Sequence, residues 1–359
     1  MQDLDLPVLD GGREQAKRRE ANDVACLHGS LDLARDPLPQ RIVRVRHLQS
    51  HPHVDGTSPT RSVLGTVANA LLWSLGILFG AGLVCVAYGV LIERRWYRGV
   101  RYRLEVARPG LSAPLSILHL SDLHFLAGDR RKARFLASLG RPDVTVLTGD
   151  VIGEPEGVEE AVAALRPLRG RLASYVVLGS NDYFVPEPLN YLNYFAGKRR
   201  RRAGVRSRWR EMVAQLEADG WTHLPNRRTE LAVDGVRLEV MGMDDPHIER
   251  HDLRVAPRHD PAALGLAVVH SPDPAPELAA LGYDLILSGH THGGQVRLPV
   301  VGAIVTNSQM PTRLCRGLSR LGSSILHISP GLGTSKFAPF RFLCRPEATI
   351  LELVPAPVH

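Results

Sequence analysis

The order of apolar and polar residues divides the chain into three parts. Residues 1–60 intersperse charges of both signs with recurrent prolines and histidines, and this predicts a mostly disordered N-terminal tail. A start codon assigned too far upstream would give the same pattern. Residues 62–92 carry no charged side chain, and the run is longer than the roughly 20 apolar residues that cross a bilayer. One transmembrane helix is therefore predicted over 62–92.

The third part, residues 113–355, alternates short apolar runs with helix-like segments, which is typical of a layered α/β domain. The pattern predicts a hairpin over 231–241 that turns at Asp234-Gly235. Helices are predicted over 157–168, 209–218 and 274–281. Strands are predicted over 115–120, 144–147, 175–178, 266–269, 285–287, 304–306, 324–328 and 349–353.

Composition changes this picture only slightly. Hydrophobic residues make up 44% of the 359 residues and charged residues 23%, which are ordinary globular values. The net charge of +7 indicates an anionic partner, which could be nucleic acid, anionic lipid or a phosphorylated substrate. The four cysteines lack the spacing of a zinc site, although a disulfide between Cys315 and Cys344 is one option.

Arginines on the two sides of the predicted membrane helix bear on its orientation. Five follow the helix between residues 94 and 103, whereas three precede it between residues 44 and 61. Because cytoplasmic flanks carry the excess of Lys and Arg, this bias favours a single-pass protein of the cell membrane with a cytoplasmic catalytic domain. That orientation requires export of the whole N-terminal tail, which counts against it.

Metal-capable side chains follow five successive predicted strands. In strand order they are Asp122 and His124, then Asp150, then Asn181 and Asp182, then His270, then His290 and His292. Ligands of α/β sheets bind at the carboxyl ends of strands, so these side chains are expected to meet at one edge. A lone Asp or His at such a place is more often a turn former or a buried core residue, but five in strand order favour a site.

The residue types indicate the chemistry of this site. Carboxylates and imidazoles together suit Mn, Fe or Zn, and two such ions about 3.5–4 Å apart can clamp a phosphoryl group. On a strand, residues 122 and 124, or 290 and 292, would share one face, so loop conformations are expected there. Tight turns and close backbone approach are permitted by Gly149, Gly179, Gly289, Gly293 and Gly294.

These motifs resemble the ordered signature of the calcineurin-like metallophosphoesterase superfamily: Asp-x-His, Gly-Asp, Gly-Asn-His-Asp/Glu, a lone His and Gly-His-x-His. The chain shows Asp122-Leu-His124, Gly149-Asp150, Gly179-Ser180-Asn181-Asp182, His270 and Gly289-His290-Thr291-His292. The stretch Gly-His-Thr-His-Gly-Gly-Gln at 289–295 is most similar to the membrane-anchored bacterial branch. The resemblance implies a layered β-sheet sandwich flanked by helices, preceded here by one transmembrane helix.

The resemblance also implies roles. The first divalent ion would be held by Asp122, His124, Asp150 and His292, and the second by Asp150, Asn181, His270 and His290, with Asp150 bridging. In the family an asparagine completes the second site, and the histidine after it acts near the leaving group. Here Ser180 aligns with that asparagine and Asn181 with that histidine. We favour Asn181 as the ligand because an amide oxygen binds metal better than a hydroxyl, the alternative being Ser180 with water. Asp150 and Asn181 are thus the predicted catalytic residues.

The sequence therefore predicts a hydrolase of phosphomonoesters or phosphodiesters that acts through a hydroxide activated by two metal ions. The membrane helix suggests a lipid-linked substrate, and a nucleotide-linked lipid pyrophosphate is one substrate of related branches. A non-catalytic membrane-associated binding protein that keeps the fold is one alternative, because the third motif is altered. A nuclease is another, although nucleic acid is not the expected partner because no DNA-binding module is visible. No protein partner is evident.

Two further segments have two interpretations each. The basic run 198–202 is either a solvated loop or a contact with anionic lipid headgroups. The segment Asp244-Asp245-Pro246-His247 follows a predicted strand and either forms a turn or lines the site.

Overall fold

The computed structural model describes residues 59–186 and 204–356 of the chain. The predicted tail up to residue 58 and the basic run 198–202 lie outside these residues. The helices are Pro59–Leu91 (α1), Arg130–Ala137 (α2), Val158–Leu165 (α3), Ser180–Tyr183 (α4), Trp209–Ala218 (α5) and Ala275–Ala280 (α6). The strands are Arg98–Val106 (β1), Leu115–Leu120 (β2), Val144–Thr148 (β3), Ala173–Val177 (β4), Thr222–His223 (β5), Arg227–Val233 (β6), Val236–Met243 (β7), Leu264–Val269 (β8), Leu285–Ser288 (β9), Arg297–Leu298 (β10), Gly302–Ala303 (β11), Gly317–Leu321 (β12), Ser324–Ile328 (β13) and Glu347–Pro355 (β14).

The strands form two six-stranded sheets and one two-stranded hairpin. The first sheet has the order β1-β14-β2-β3-β4-β5, and its strands β2, β3 and β4 are parallel. The second has the order β12-β13-β9-β8-β7-β6, and its strands β13, β9, β8 and β7 are parallel. Because parallel strands end at the same edge of a sheet, each sheet presents several loops at one edge.

Apolar residues fill the space between the two sheets and cover both outer faces. Between the sheets, Ile117 of β2 and Leu266 of β8 belong to one buried cluster. On the outer face of the first sheet, α2, α3 and α5 pack over Leu147. On the outer face of the second, Leu278 of α6 packs with Ile286. Strands covered on both faces read as continuous apolar runs, which is why they could be found in the sequence. The expected sandwich flanked by helices is confirmed.

Helix α1 is apolar and exposed around its circumference. Leu72, Trp73 and Phe79 are among its exposed side chains, whereas a helix on the surface of a soluble domain would bury an apolar stripe. The helix is long and apolar enough to cross a membrane. Just beyond its end, the buried carboxylate of Glu93 accepts hydrogen bonds from the backbone N–H groups of Leu343 and Cys344, at 2.9 and 2.5 Å. These bonds fix the end of α1 to the domain.

Most predicted elements are confirmed, and α5 has the predicted bounds. The strand predicted over 304–306 is wrong, because Ile304 and Val305 lie in irregular backbone with exposed side chains. Strand β1 and helix α2 were not predicted, because β1 is a half-exposed edge strand with arginines and half of the residues of α2 are basic. The disulfide option is wrong as well, since Cys315 and Cys344 are buried free thiols.

Candidate metal centre

Loops at the carboxyl ends of strands from both sheets meet to form one centre. The backbone N–H groups of Asp122 and His124 donate to the carbonyls of Gly149 and Asp150, at 2.9 and 3.0 Å. These bonds join the loop after β2 to the loop after β3. The backbone N–H of His290, after β9, donates to Oδ2 of Asp122 at 2.9 Å. The two sheets are therefore tied together at the place where the predicted ligands lie.

Left-handed backbone is concentrated at the predicted ligands. Values of φ are 48° at Asp122, 43° at His124, 51° at Asp150, 67° at His290 and 50° at His292. Such conformations are uncommon outside glycine and cost on the order of 1–3 kcal/mol each, so the surrounding structure must hold them in place. The loop conformation predicted from the Asp-x-His and His-x-His spacing is confirmed.

Four side chains make up the first half of the centre: Asp122, His124, Asp150 and His292. Their ligand atoms all lie within 4.8 Å of one another. The Nε2 atoms of His124 and His292 are 3.3 Å apart. Nε2 of His292 lies 3.5 Å from Oδ1 of Asp122, and Nε2 of His124 lies 3.6 Å from Oδ2 of Asp150. Imidazole and carboxylate atoms thus converge on one small space.

The second half of the centre consists of Asp150, Asn181, His270 and His290. Nε2 of His270 lies 3.5 Å from Oδ2 of Asp150 and 3.3 Å from Nδ1 of His290. The side-chain amide of Asn181 donates to Oδ2 of Asp150 at 2.5 Å, and its backbone N–H donates to Oδ1 at 2.9 Å. A Cβ at Gly179 would overlap Oδ1 of Asp150, so the third motif needs glycine there. Of the two candidate residues, Asn181 has its side chain in contact with the shared carboxylate.

Backbone carbonyls orient two of the imidazoles. Nδ1 of His270 lies 2.6 Å from the carbonyl oxygen of Thr148, and Nε2 of His290 lies 3.1 Å from that of Asn307. A carbonyl only accepts hydrogen bonds, so each of these ring nitrogens donates and the opposite nitrogen faces the centre. Histidines that bind metal ions usually donate their other N–H in this way.

The electrostatics of the centre fit divalent cations. Burial raises the pKa of Asp122 to about 6 and that of Asp182 and of Asp245 to about 7. Burial lowers the pKa of His124 to about 4, so its ring remains neutral. Oδ1 of Asp122 is buried and accepts no hydrogen bond. Burial thus disfavours the charged form of these carboxylates, and nearby divalent ions would restore it by supplying positive charge.

Burial lowers the pKa of His270, but the carboxylates of Asp150, Asp245 and Asp122 outweigh burial and raise it well above its usual value. The carboxylates around His270 therefore favour positive charge at this place, which a bound divalent cation would also supply.

Lys132 of α2 supports the first half, although the sequence analysis did not single it out. It is buried, and its Nζ donates to the carbonyls of Leu123 and His124, at 2.5 and 3.2 Å. Nζ also pairs with Asp129 at 2.7 Å. The lysine follows two arginines, so its local sequence resembles an exposed helix face. Only the folded loop after β2 shows that it is buried.

Arg341 is a second supporting residue that the sequence analysis missed. It is fully buried, and its Nη2 donates to the carbonyls of Pro330 and Gly333, each at 2.7 Å. The same Nη2 lies 3.5 Å from Nδ1 of His292. The guanidinium therefore holds the loop before β14 behind the first half. Because Arg341 lies in a loop, the neighbouring sequence does not indicate that its side chain is buried.

Asp182 of the third motif and His247 of the segment 244–247 also lie at the centre, beside the candidate ligands described above. The carboxylate of Asp182 accepts hydrogen bonds from the N–H groups of Val151 and Gly179, at 2.7 and 2.9 Å. It thereby joins the loops after β3 and β4.

The ring of His247 lies 4.5 Å from that of His290, centroid to centroid, and a 3-10 turn covers Pro246–Ile248. This segment thus both forms a turn and lines the centre.

Comparison with known proteins agrees with this geometry. A family model described as calcineurin-like phosphoesterase matches residues 115–294. The uncharacterized metallophosphoesterase YkuE of Bacillus subtilis (strain 168) is 28% identical over 240 residues, which are 66% of this chain and 76% of that protein. The phosphodiesterase YaeI of Escherichia coli (strain K12) is 28% identical over 271 residues, which are 73% of this chain and 90% of that protein.

A third relative adds a named substrate of its own. The UDP-2,3-diacylglucosamine pyrophosphatase LpxG of Chlamydia trachomatis is 25% identical over 284 residues, covering 68% of this chain and 84% of that protein. The family match runs from β2, past the first motif, to the Gly-His-Thr-His-Gly-Gly stretch after β9. This chain belongs to the calcineurin-like phosphoesterase family and is a metal-dependent hydrolase of phosphoester bonds.

Proposed function

We propose that this chain is a membrane-anchored phosphoesterase that hydrolyses phosphomonoesters or phosphodiesters at the centre described above. The first half would hold one divalent ion and the second half the other, with Asp150 shared. The observation that carries the proposal is the convergence of the ligand atoms of Asp122, His124, Asp150 and His292 within 4.8 Å. Two divalent ions bound there supply Lewis acidity, which activates water and neutralises charge on a phosphoryl group.

The chain's own residues bind and orient the substrate. Asn181 and His247 are half-buried, so they line the accessible side of the centre. Amide and imidazole N–H groups can donate hydrogen bonds to the oxygens of a phosphoryl group. Asn181 occupies the place where the family usually carries a histidine beside the leaving group. We therefore expect the best turnover with leaving groups that need no proton, such as nitrophenolate.

The substrate class we propose is a phosphoester carried by a membrane lipid. Three observations support it: the apolar helix α1 next to the domain, the net charge of +7, and the lipid substrate in the name of LpxG. A basic protein held at a bilayer meets anionic headgroups at high local concentration.

We also propose on which side of the membrane the catalytic domain lies. Arg94, Arg95 and Arg98 follow α1 within seven residues of its last residue, Leu91. By the excess of positive charge on this flank, we place the catalytic domain in the cytoplasm. A green fluorescent protein fused to the C-terminus should fluoresce, since it folds in the cytoplasm and not after export through the general secretory route. A dark fusion that is expressed and inserted would reverse the orientation.

The catalytic proposal is tested with full-length protein purified in detergent. With Mn²⁺ it should cleave bis(p-nitrophenyl) phosphate, and Asp150→Asn should remove this activity because both halves lose their shared carboxylate. Asp252→Asn is the matched control, because Asp252 pairs with Arg254 on the surface. Turnover by the Asp150→Asn variant at the parent rate would refute the mechanism. Metal content below about one ion per chain in the parent would favour the non-catalytic alternative.

A further inference from the structure

The hairpin formed by β10 and β11 exposes a run of apolar side chains. We call residues 298–305 the apolar hairpin. Leu298, Val301 and Ile304 are 42%, 70% and 54% exposed, and Val300 is fully exposed. Within the part of the chain that the structure describes beyond Trp96, most of the exposed large apolar side chains belong to this hairpin. Contiguous exposed apolar residues usually mark a surface that contacts a membrane or another protein.

The tip of the apolar hairpin keeps an apolar residue at a conformational cost. Leu298 pairs with Gly302, so Pro299, Val300 and Val301 form the turn. Val300 has a φ of 66°, which is strongly disfavoured for a β-branched residue and easy for glycine. Strain of this kind, where the surrounding structure maintains it, accompanies functional sites. Here it keeps a valine side chain at the outermost point of the turn.

A continuous set of contacts joins the apolar hairpin to the end of α1. The backbone of Phe342 bonds to Gln295 and Arg297, at 3.0 and 2.9 Å, immediately before the hairpin. The ring of Phe342 meets that of Tyr88 in α1 edge to face, with centroids 6.3 Å apart. Phe340 packs so closely on Gly89 that a Cβ there would overlap its ring. The hairpin is thus next to the segment on which the last turns of α1 rest.

The apolar hairpin is also connected to the metal centre at both of its ends. Its first strand begins five residues after His292. Just after its last residue, the carbonyl of Asn307 accepts the hydrogen bond from Nε2 of His290, at 3.1 Å. Whatever surface the hairpin contacts therefore lies close to the centre.

We propose that the apolar hairpin inserts into the same lipid bilayer that α1 crosses and so holds the metal centre at the membrane surface. The inference rests on the proposed membrane span. A lipid surface is the occupant because the hairpin is linked through Phe342 to the last turns of an apolar helix that would cross one. The neighbouring side chains suit headgroups: Trp96 is exposed with the guanidinium of Arg345 stacked 4.0 Å over its ring, and Arg313 is exposed in a turn against β11.

A metal centre held at the membrane surface narrows the class of substrate that it can reach. A phosphoester that reaches the centre without leaving the bilayer must carry its phosphorus at headgroup depth. The hairpin thus favours substrates in which an acyl or alkyl chain is linked to the phosphoryl group, over soluble phosphoesters. The hairpin would act by holding the protein in place, with no contact to the reacting atoms.

Insertion is tested in full-length protein reconstituted into vesicles of phosphatidylcholine and phosphatidylglycerol, with and without brominated acyl chains. Bromine quenches tryptophan emission only within the bilayer, and the emission of the parent protein is subtracted. The tryptophan introduced by Val301→Trp should be quenched, whereas one introduced by Leu253→Trp should not. Leu253 is an exposed apolar residue in the loop between β7 and β8. Equal quenching of the two introduced tryptophans overturns the proposal. Emission from Val301→Trp that is shifted to the blue but not quenched by bromine overturns it too, because it would mean that protein and not lipid covers the hairpin.

The effect on substrate choice is tested with two chromogenic diesters. In vesicles, Val300→Gly and Val301→Asp should lower turnover of dodecyl p-nitrophenyl phosphate about tenfold or more, since each removes apolar contact with lipid. Turnover of soluble bis(p-nitrophenyl) phosphate should stay unchanged. Val300→Gly also relaxes the turn, so its melting temperature should not fall, and misfolding is excluded as the cause. Equal effects on both diesters would overturn the role in substrate choice. If the parent cleaves neither diester, the proposed function fails, while the quenching result still decides insertion.

Discussion

The two halves of the metal centre share Asp150 but differ in how the rest of each is held. In the first half, His124 is supported from behind by Lys132 and His292 by Arg341, and three of the four candidate ligands are buried while His292 is partly exposed. In the second half, Asn181 is half-buried, and His290 bonds to Asn307, just beyond an exposed hairpin. Each half thus has one partly exposed residue, but the first is held from behind by two buried cationic side chains, whereas the second is held next to an exposed hairpin.

This difference suggests a division of work. Buried side chains that are held by hydrogen bonds on several sides tolerate little change, because each lost bond leaves a buried polar group unpaired. The partly exposed side of the second half, at Asn181 and beside the hairpin, can vary in sequence without the same penalty. It is there that the third motif departs from the family pattern and that the hairpin joins the centre. We expect metal retention to depend mainly on the first half and substrate choice mainly on the second.

The largest effect should come from a candidate ligand of the first half. His124→Ala should lower kcat/KM by more than about 100-fold, above the range for losing a residue that only supports a ligand. Elemental analysis should show about one ion fewer per chain. His259→Ala is the matched control, because His259 is exposed and pairs with Arg228. Retention of full metal content by His124→Ala would remove the first half from the proposed site.

A smaller effect is expected in the second half. Asn181→Ala should lower kcat/KM about 10- to 100-fold, because the centre loses one contact to Asp150 while the carboxylate and the two imidazoles of this half remain. Ser180→Ala should change kcat/KM less than twofold. Steady-state kinetics with Mn²⁺ on bis(p-nitrophenyl) phosphate would measure both. The reverse ranking would assign the ligand role to Ser180 and remove the basis of the comparison.

The support of the first half should be visible in stability. Lys132→Met leaves the carbonyls of Leu123 and His124 without their donor, which costs about 1–3 kcal/mol for each unpaired group. A melting temperature several degrees lower is expected by calorimetry. Lys336→Met is the matched control, since Lys336 is exposed and pairs with Glu154, and surface pairs contribute about 0–1 kcal/mol. Equal melting temperatures of the two variants would mean that Lys132 does not hold the loop.

The smallest effect concerns a histidine pair that joins the two sheets beneath the first half. Nδ1 of His119 in β2 lies 2.7 Å from Nδ1 of His327 in β13. Burial lowers the pKa of His327 to about 3, and burial together with His327 lowers the pKa of His119 well below its usual value. In the unfolded chain both titrate near their usual value of about 6.5.

The unfolded state therefore binds more protons than the folded state below about pH 6.5, and the free energy of unfolding should decrease as pH falls from there. Urea unfolding between pH 7.5 and 5, with chelator present so that metal loss does not contribute, measures this slope. The double variant His119→Asn/His327→Asn should show a flatter dependence. An unchanged slope would mean that other groups cause the acid sensitivity.

The strands and the motif loops could be predicted because their signals are local. Strands covered on both faces are apolar runs, and β2, for example, has the predicted bounds. The side chains after these strands follow the order of the strands, so their meeting at one edge follows from parallel topology. In contrast, Lys132 and Arg341 carry a charge that normally indicates the surface, and the residues of β1 alternate between half-buried and exposed positions. Their places depend on distant segments that cover them.

By itself, the sequence determined the apolar helix, the α/β sandwich and the loops that carry the candidate ligands. The tertiary structure decided that the side chain of Asn181 meets Asp150 and that Ile304 and Val305, predicted as part of a strand, belong to an exposed apolar hairpin. The physical reason is the same in both cases. Apolar pattern and motif order report what a segment is made of, whereas the neighbour that a side chain meets depends on how loops from distant strands pack together.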